Sequence, residues 1–424
     1  MQTNLADFIK GSADGDTAEA ILRNCVHCGF CTATCPTYQL LGDELDGPRG
    51  RIYLIKQVLE GQPATASTQL HLDRCLTCRN CETTCPSGVE YGRLLDIGRK
   101  VVDQQVRRPL GQRMARAALA ATLPRSWIFK PAMKTGQLLR PLLPKALRNK
   151  VPAPAARTSW PRTTHARTML LLDGCVQPAM SPNINAATAR VLDALGVQLV
   201  VAPKAGCCGA LRHHLDEHEA ALDDMRRNID AWWPYVDGSA GAPAEAIVMT
   251  ASGCGAMVKD YGHLLAHDPA YARKAERIAA LTSDLSEVLP RFEPQLRERL
   301  AGKDSRRVAY HPPCTLQHGQ KIRGAVERVL ALAGVDVRLC QDSHLCCGSA
   351  GTYSVLQPEL SYQLRDKKVA NLEATGAQEI VSANIGCLGH LQSGTQLPVR
   401  HWIELIDDAL ARAGVDAGVR QKAA

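Results

Sequence analysis

Aromatic side chains are scarce in this sequence: Phe, Tyr and Trp together make up 4% of 424 residues. No apolar run approaches the roughly 20 residues that cross a bilayer, so any membrane contact is expected to be peripheral. Nucleotide-binding loops are missing too. Neither G-x-G-x-x-G nor G-x-x-x-x-G-K-[ST] occurs, and nothing marks a flavin, nicotinamide or nucleoside-phosphate site. No nucleophile–base pattern stands out. Met1 to Lys10 is mixed polar and does not read as a secretory leader, which argues against a disulfide-bonded exported chain.

Cysteine, by contrast, is plentiful. Seventeen cysteines in such a chain point to metal or redox chemistry rather than cross-links. Length allows roughly two to four domains with real cores. The net charge of +8 is unevenly spread: Arg99 to Arg167 holds 16 Lys and Arg against Asp103 alone, or +15, leaving 8 − 15 = −7 elsewhere.

Two runs near the N-terminus, Cys25-x2-Cys28-x2-Cys31-x3-Cys35-Pro36 and Cys75-x2-Cys78-x2-Cys81-x3-Cys85-Pro86, share one spacing. Three thiolates on a curled loop reach three corners of one [4Fe–4S] cube, and the fourth cysteine, opening the next segment, reaches the neighbouring cube. One cluster is then expected on Cys25, Cys28, Cys31 and Cys85, the other on Cys75, Cys78, Cys81 and Cys35. Zinc knuckles also use C-x2-C, but zinc gives no reason for a third step followed by x3-C-P.

About forty residues separate the runs, and Ile52, Leu54, Ile55, Val58 and Leu59 recur at helical spacing, which predicts helices packed around the cubes. Arg49 and Arg51 have three readings: donors near cluster sulfur, contacts to a partner, or a solvated helix start. His27 is at most a neighbour that tunes the first cluster.

The basic stretch is broken by eight prolines from Pro109 to Pro161 and carries short amphipathic segments, Met114 to Leu123 and Leu138 to Leu147, with Trp127 and Phe129 among its cations. It reads as a linker, a dock for an acidic subunit, or a foot on an anionic membrane. Nucleic acid is not an expected partner, since no recognition module accompanies the charge.

From Thr168 the chain repeats itself. Strand Met169–Leu172, Cys175, a helix, strand Val197–Val201, Cys207-Cys208-Gly209, strand Ile247–Met249 and Cys254 are answered by strand Val308–Tyr310, Cys314, a helix, strand Val335–Leu339, Cys346-Cys347-Gly348, strand Ile380–Val381 and Cys387. In both copies 31 residues separate the lone cysteine from the pair. Duplicated βαβ units with cysteines at the strand C-termini are predicted, where open α/β sheets gather ligands. Glycine after each pair lets backbone N–H approach sulfur. Cys340 reads as core, His213, His214 and His218 as solvated, and His311 as either support for Cys314 or a satisfied core histidine.

The doubled pattern resembles the cysteine-rich "CCG" domains of heterodisulfide reductase, anaerobic glycerol-3-phosphate dehydrogenase and lactate-utilisation subunits. Joined to a two-cluster module, Cys25–Leu59, Arg74–Ser87, Ser252–Ala256, Ser343–Tyr353 and Asn384–Cys387 resemble the iron–sulfur subunits of bacterial glycolate oxidase. The resemblance spans essentially the whole chain and is weakest in the basic belt. It implies an α+β multidomain protein: a helical ferredoxin module over 1–100, a Pro-rich linker or docking segment over 101–167, and α/β CCG domains over 168–300 and 301–424. It further implies an electron-transfer subunit without flavin. Flavin-containing partners would oxidise glycolate to glyoxylate, and this chain would pass single electrons to a quinone-type acceptor at the cytoplasmic face of the inner membrane. Corresponding subunits for lactate or glycerol 3-phosphate, a disulfide-reducing subunit and a zinc-stabilised assembly module are the alternatives.

One departure bears on the metal sites. The family motif ends C-x2-C, and here Met257 and His390 replace the final cysteine. Cys314, Cys346, Cys347 and Cys387 are expected to hold a further cluster, completed by His390. Cys175, Cys207, Cys208 and Cys254 form a lesser site or an empty scaffold, with zinc the competing occupant of either.

Overall fold

The computed structural model describes residues 1–144, 148, 151–153, 159–300 and 306–414. Its N-terminal part is helical. Helix Pro48–Leu59 opens on a proline, whose missing N–H is harmless in a first turn, and buries Ile52, Ile55, Val58 and Leu59. It crosses helix Tyr91–Gln105 so closely that a Cβ on Gly98 would lie 2.5 Å from Ile55 Cγ1, an approach only glycine permits. Helices Ala13–Asn24 and Ala66–Asp73 close the shell around a core that includes Leu22, Leu72, Leu94 and Leu95.

A buried ion network sits inside this shell. Asp46 and Arg51 are both 0% exposed. Arg51 donates to Asp46 Oδ1 (3.3 Å), Thr37 Oγ1 (3.2 Å) and the His71 carbonyl (2.7 Å). Arg74 donates to Asp46 Oδ2 (2.8 Å), and His71 Nδ1 meets Asp46 Oδ1 at 3.0 Å. Charges so deep are tolerated only when fully paired.

The basic belt follows as helices Leu110–Thr122 and Ser126–Leu138. Met114 to Leu123 falls within and just beyond the first; of Leu138 to Leu147, residues 145–147 lie outside the described residues. Arg108 pairs with Asp73, Asp103 and Asp216, and Arg116 with Asp216, so these two cations tie the helical module to the following domain.

Two parallel four-stranded sheets come next. The first comprises β1 (Arg167–Leu171), β2 (Val197–Val201), β3 (Ile247–Met249) and β4 (Thr282–Asp284) in the order β2-β1-β3-β4. The second comprises β5 (Arg307–His311), β6 (Asp336–Leu339), β7 (Glu379–Ser382) and β8 (Val399–His401) in the order β6-β5-β7-β8. The matched topology is that of a duplication. β4 and β8 escape a reading by hydropathy because they are three residues long and largely polar.

The two sheets share a core on one face and keep separate clusters on the other. One apolar cluster runs from Met169, Ile184 and Val191 through Leu285 and Phe292 to Tyr310, Trp402 and Ile406. Helix Asn183–Ala194 lies on helix Trp402–Arg412, with Arg190 on Asp407, Asn183 on Glu404, and His401 Nε2 at 2.9 Å from the Thr250 carbonyl.

The helical module docks on the first sheet domain through Asp96 and His213, 3.2 Å apart. Contrary to the solvated reading, His213 is buried. Burial opposes its charge, but Asp96, their hydrogen bond and Asp216 outweigh this and raise its pKa. Burial likewise opposes ionised Asp96, yet His213, His214 and Arg79 hold it below the usual carboxylate range. With His213 raised, the pair's stabilisation is full below the unfolded histidine value of about 6.5 and fades as pH climbs through the folded value; with Asp96 depressed, it is full above about 3.9 and fades as pH falls through the folded value.

Two outcomes are expected. Urea midpoints of the chain should fall as pH rises above about 6.5, and His213→Gln should flatten that slope; an unchanged slope would dismiss the pair as its source. Arg51→Met, which leaves Asp46 short of its buried partner, should cost about 3–5 kcal/mol in denaturant unfolding.

Candidate iron–sulfur sites

Both N-terminal cysteine loops curl in the same way. His27 and Gly29 take φ of 55° and 84° in the first, and Thr77 and Arg79 take 52° and 56° in the second. Left-handed residues placed between the cysteines turn successive thiols inward. Cys35 then precedes helix Pro36–Leu41, with Pro36 at its first turn, so the Cys-Pro step ends a loop and starts a helix.

The fold gathers these thiols in two adjoining hollows. Cys25, Cys28, Cys31 and Cys85 line one, with Val26, Phe30 and Val89. Cys35, Cys75, Cys78 and Cys81 line the other. Pro48, Cys81 and Tyr91 border both. The fourth cysteine of each run crosses to the other run's hollow, so each hollow draws sulfurs from two chain segments.

The donor set suits a thiolate-bound cube. Burial pushes the Cys31 thiol up to about 11 and Cys78 and Cys81 well above the ordinary thiol value. Buried thiols of this kind are inert until a metal draws off the proton. Arg51 lines the second hollow, and Arg49 lies over the first loop, where a Cβ on Gly29 would come within 2.7 Å of its Nη1. Arg51 is therefore no solvated helix start. His27 borders the first hollow.

All lone and paired cysteines of the repeat lie beyond the C-terminal ends of parallel strands. In the first copy Cys175, Cys207, Cys208 and Cys254 form a chain of thiol contacts in that order. Cys207 is the acidic member, held low by hydrogen bonds with Cys175 and Cys208 and by nearby Arg227. Met257 is buried in the apolar cluster that contains Cys208 and against which Cys254 packs.

The second copy repeats the series. Cys314 Sγ is 3.9 Å from Cys346 Sγ, and Cys346 meets Cys347, which meets Cys387. Gly348 N–H points at Cys346 Sγ (3.4 Å), as the glycine predicts. A Cβ on Gly348 would lie 2.5 Å from the Ser361 carbonyl oxygen, and its φ is 87°, so both space and backbone require glycine. Cys340 is buried against Val369, Leu372 and Ile380, as core.

His390 does not complete this site. Its Nε2 is 3.2 Å from Ser361 Oγ and its ring stacks on Tyr362, because one helical turn past Cys387 carries it to the neighbouring helix Pro358–Glu373. His311 takes the place beside sulfur instead: its ring, Cys347 and Cys387 present donor atoms within 4.8 Å of one another. Burial keeps the imidazole neutral, and neither ring nitrogen has a hydrogen-bond partner. Leaving such an atom unsatisfied costs about 1–3 kcal/mol. Asn384, which sequence reasoning missed, donates to Cys387 Sγ (3.6 Å) and accepts from Gly253 N–H (3.3 Å), linking the two copies.

The second hollow abuts the second repeat. Leu76, Cys314, Cys346, Tyr353, Leu360 and Leu364 form one buried cluster against which Cys78 packs. Asn80 spans the joint by donating to the carbonyls of Thr34 (3.0 Å) and His344 (3.2 Å). No helix among the described residues is long and apolar enough to cross a membrane.

Comparison with known proteins agrees with this arrangement. Residues 21–89 match the 4Fe-4S dicluster domain family, and residues 169–259 and 308–392 match the cysteine-rich CCG domain family. The glycolate oxidase iron-sulfur subunit of Escherichia coli (strain K12) is 55% identical over 97% of this chain and all of its own length. The probable glycolate oxidase iron-sulfur subunit of Bacillus subtilis (strain 168) is 31% identical over 89% of this chain and 90% of its own. Lactate utilization protein A of Exiguobacterium is 26% identical over 56% of this chain and 96% of its own. With paired cysteine hollows in front, a duplicated CCG body behind and likeness along nearly its full length, the chain belongs to the glycolate oxidase iron–sulfur subunit family.

Proposed function

We propose that this chain relays electrons, one at a time, from flavin-containing partner subunits that oxidise glycolate to glyoxylate toward a quinone-type acceptor at a membrane surface. The observation that carries the reading is the crossing of Cys35 and Cys85 between two adjoining cysteine-lined hollows. A [4Fe–4S] cluster bound by four thiolates stores and releases one electron. The protein's part is to hold eight thiols in two sets, to exclude water with Ile52, Val89 and Leu76, and to place the buried Arg51 cation beside the second set. A positive charge there favours the reduced, more negative state. The chain's lack of nucleotide-binding loops supports placing the flavin on another subunit.

The two ends differ in what they offer a partner. At the first hollow Cys28 is exposed, and Val26 and Phe30 project beside it, a face suited to a flavin subunit. Behind the second hollow a cavity of about 270 Å³ lies between Cys75, Leu76, Thr77, Tyr353 and the belt residues Pro109 and Gln112. That approaches the roughly 300 Å³ where small-ligand pockets begin, and it supports placing the acceptor here. The belt outside it exposes Leu110, Met114, Trp127, Leu138 and Leu142. Arg107, Arg113, Arg125 and Lys134 are exposed on the same segment. Apolar side chains set among cations favour the membrane-foot reading.

Two measurements test this. In the anaerobic complex with its flavin subunits, glycolate should bring up the paramagnetic signals of reduced clusters; reduction by glycerol 3-phosphate or lactate alone would reassign the substrate. Replacing Arg107, Arg113, Arg125 and Lys134 with Gln should weaken binding to anionic vesicles at least tenfold, since each basic residue near such a surface contributes about 1 kcal/mol. Unchanged binding would return the belt to a linker or subunit dock.

A further inference from the structure

The strongest unexplained feature lies at the C-terminal edge of the second sheet. His311, the last residue of β5, is 1% exposed, and both of its ring nitrogens lack a hydrogen-bond partner. Nearly all polar atoms at such depth are satisfied. What the ring faces is sulfur: its donor nitrogen and the thiols of Cys347 and Cys387 all lie within 4.8 Å of one another. Cys346 and Cys314 continue the series, the latter 3.9 Å from Cys346.

We propose that His311 is a metal ligand, and that the second CCG site is a mixed thiolate–imidazole centre for iron or zinc. Both metals accept that donor mixture. Metal–sulfur bonds of about 2.3 Å and metal–nitrogen bonds of about 2.0 Å put neighbouring donors somewhat under 4 Å apart. Modest side-chain rotation brings the three donors to that spacing. Asn384, donating to Cys387 Sγ, supports the thiolate form.

The two copies differ at this position. Three residues before the lone cysteine stands His311 in the second copy and Leu172 in the first, where Leu172 is buried in apolar core. Three residues after the last cysteine stand His390 and Met257; His390 is turned to Ser361 and Tyr362. Among the described residues, only the second copy sets an imidazole among its thiols.

The test uses the full chain purified anaerobically with its partner subunits, and counts iron, zinc and acid-labile sulfide. Wild type should carry metal beyond the roughly eight irons of two cubes. His311→Ala should lose that excess while keeping the eight irons and their absorption, His311→Cys should restore it, and His390→Gln should keep it. The extra centre should show one nitrogen among sulfur neighbours, by nitrogen coupling in pulsed paramagnetic resonance if it is iron or by X-ray absorption at the zinc edge if it is zinc. Excess metal that survives His311→Ala, no metal beyond the cubes, loss in His390→Gln, or a sulfur-only shell would each overturn the assignment. Should His311→Ala fail to fold, the wild-type nitrogen signature decides. None of these readouts uses glycolate, so they stand apart from the substrate reading.

Discussion

Buried sulfur is the constraint around which this molecule is arranged. A thiol withdrawn from water keeps its proton, and burial holds Cys31, Cys78 and Cys81 above the ordinary thiol value. Such groups become useful only when several converge on one cation, so the chain must deliver cysteines in sets. It does so with two devices. Left-handed residues curl the N-terminal loops around their hollows, and parallel strands of the repeat bring their cysteines to one sheet edge.

The surrounding charge is arranged to the same end. Arg51 could not lie dry beside the thiols of the second hollow without Asp46, and Asp46 could not be dry without Arg51, His71 and Arg74. Helix Pro48–Leu59 supplies Arg51 from its first turn and closes against Gly98. Packing, charge and sulfur placement in this module thus stand or fall together. At the far side, Asn80 and the Leu76–Cys314–Cys346 cluster pack the second hollow against the second repeat.

Much of this was legible in the residues themselves. The eight cysteines of the two C-x2-C-x2-C-x3-C-P runs line the two adjoining hollows, and their spacing could be read because loop geometry is local. The equal interval of 31 residues foretold matching sheets, and β2 and β3 lie where apolar runs placed them. Side-chain direction was not legible. His390 shares its helix with Cys387, yet a single helical turn points it to Ser361, whereas His311 reaches sulfur from a different strand. His213 appeared polar and solvated because its partner, Asp96, lies more than a hundred residues away. Sequence spacing shows what one loop can do; it does not show which distant element will be packed against it.

The shared interior of the two sheets carries an evolutionary consequence. Helix Trp402–Arg412 is the floor on which helix Asn183–Ala194 lies, so each half buries one face of its sheet against the other while keeping a cluster of its own on the opposite face. The first copy, where among the described residues no imidazole is set among the thiols, thus has a packing role of its own. Deleting it would uncover the apolar surface that the second copy buries in the shared cluster, so selection on either half also preserves its twin.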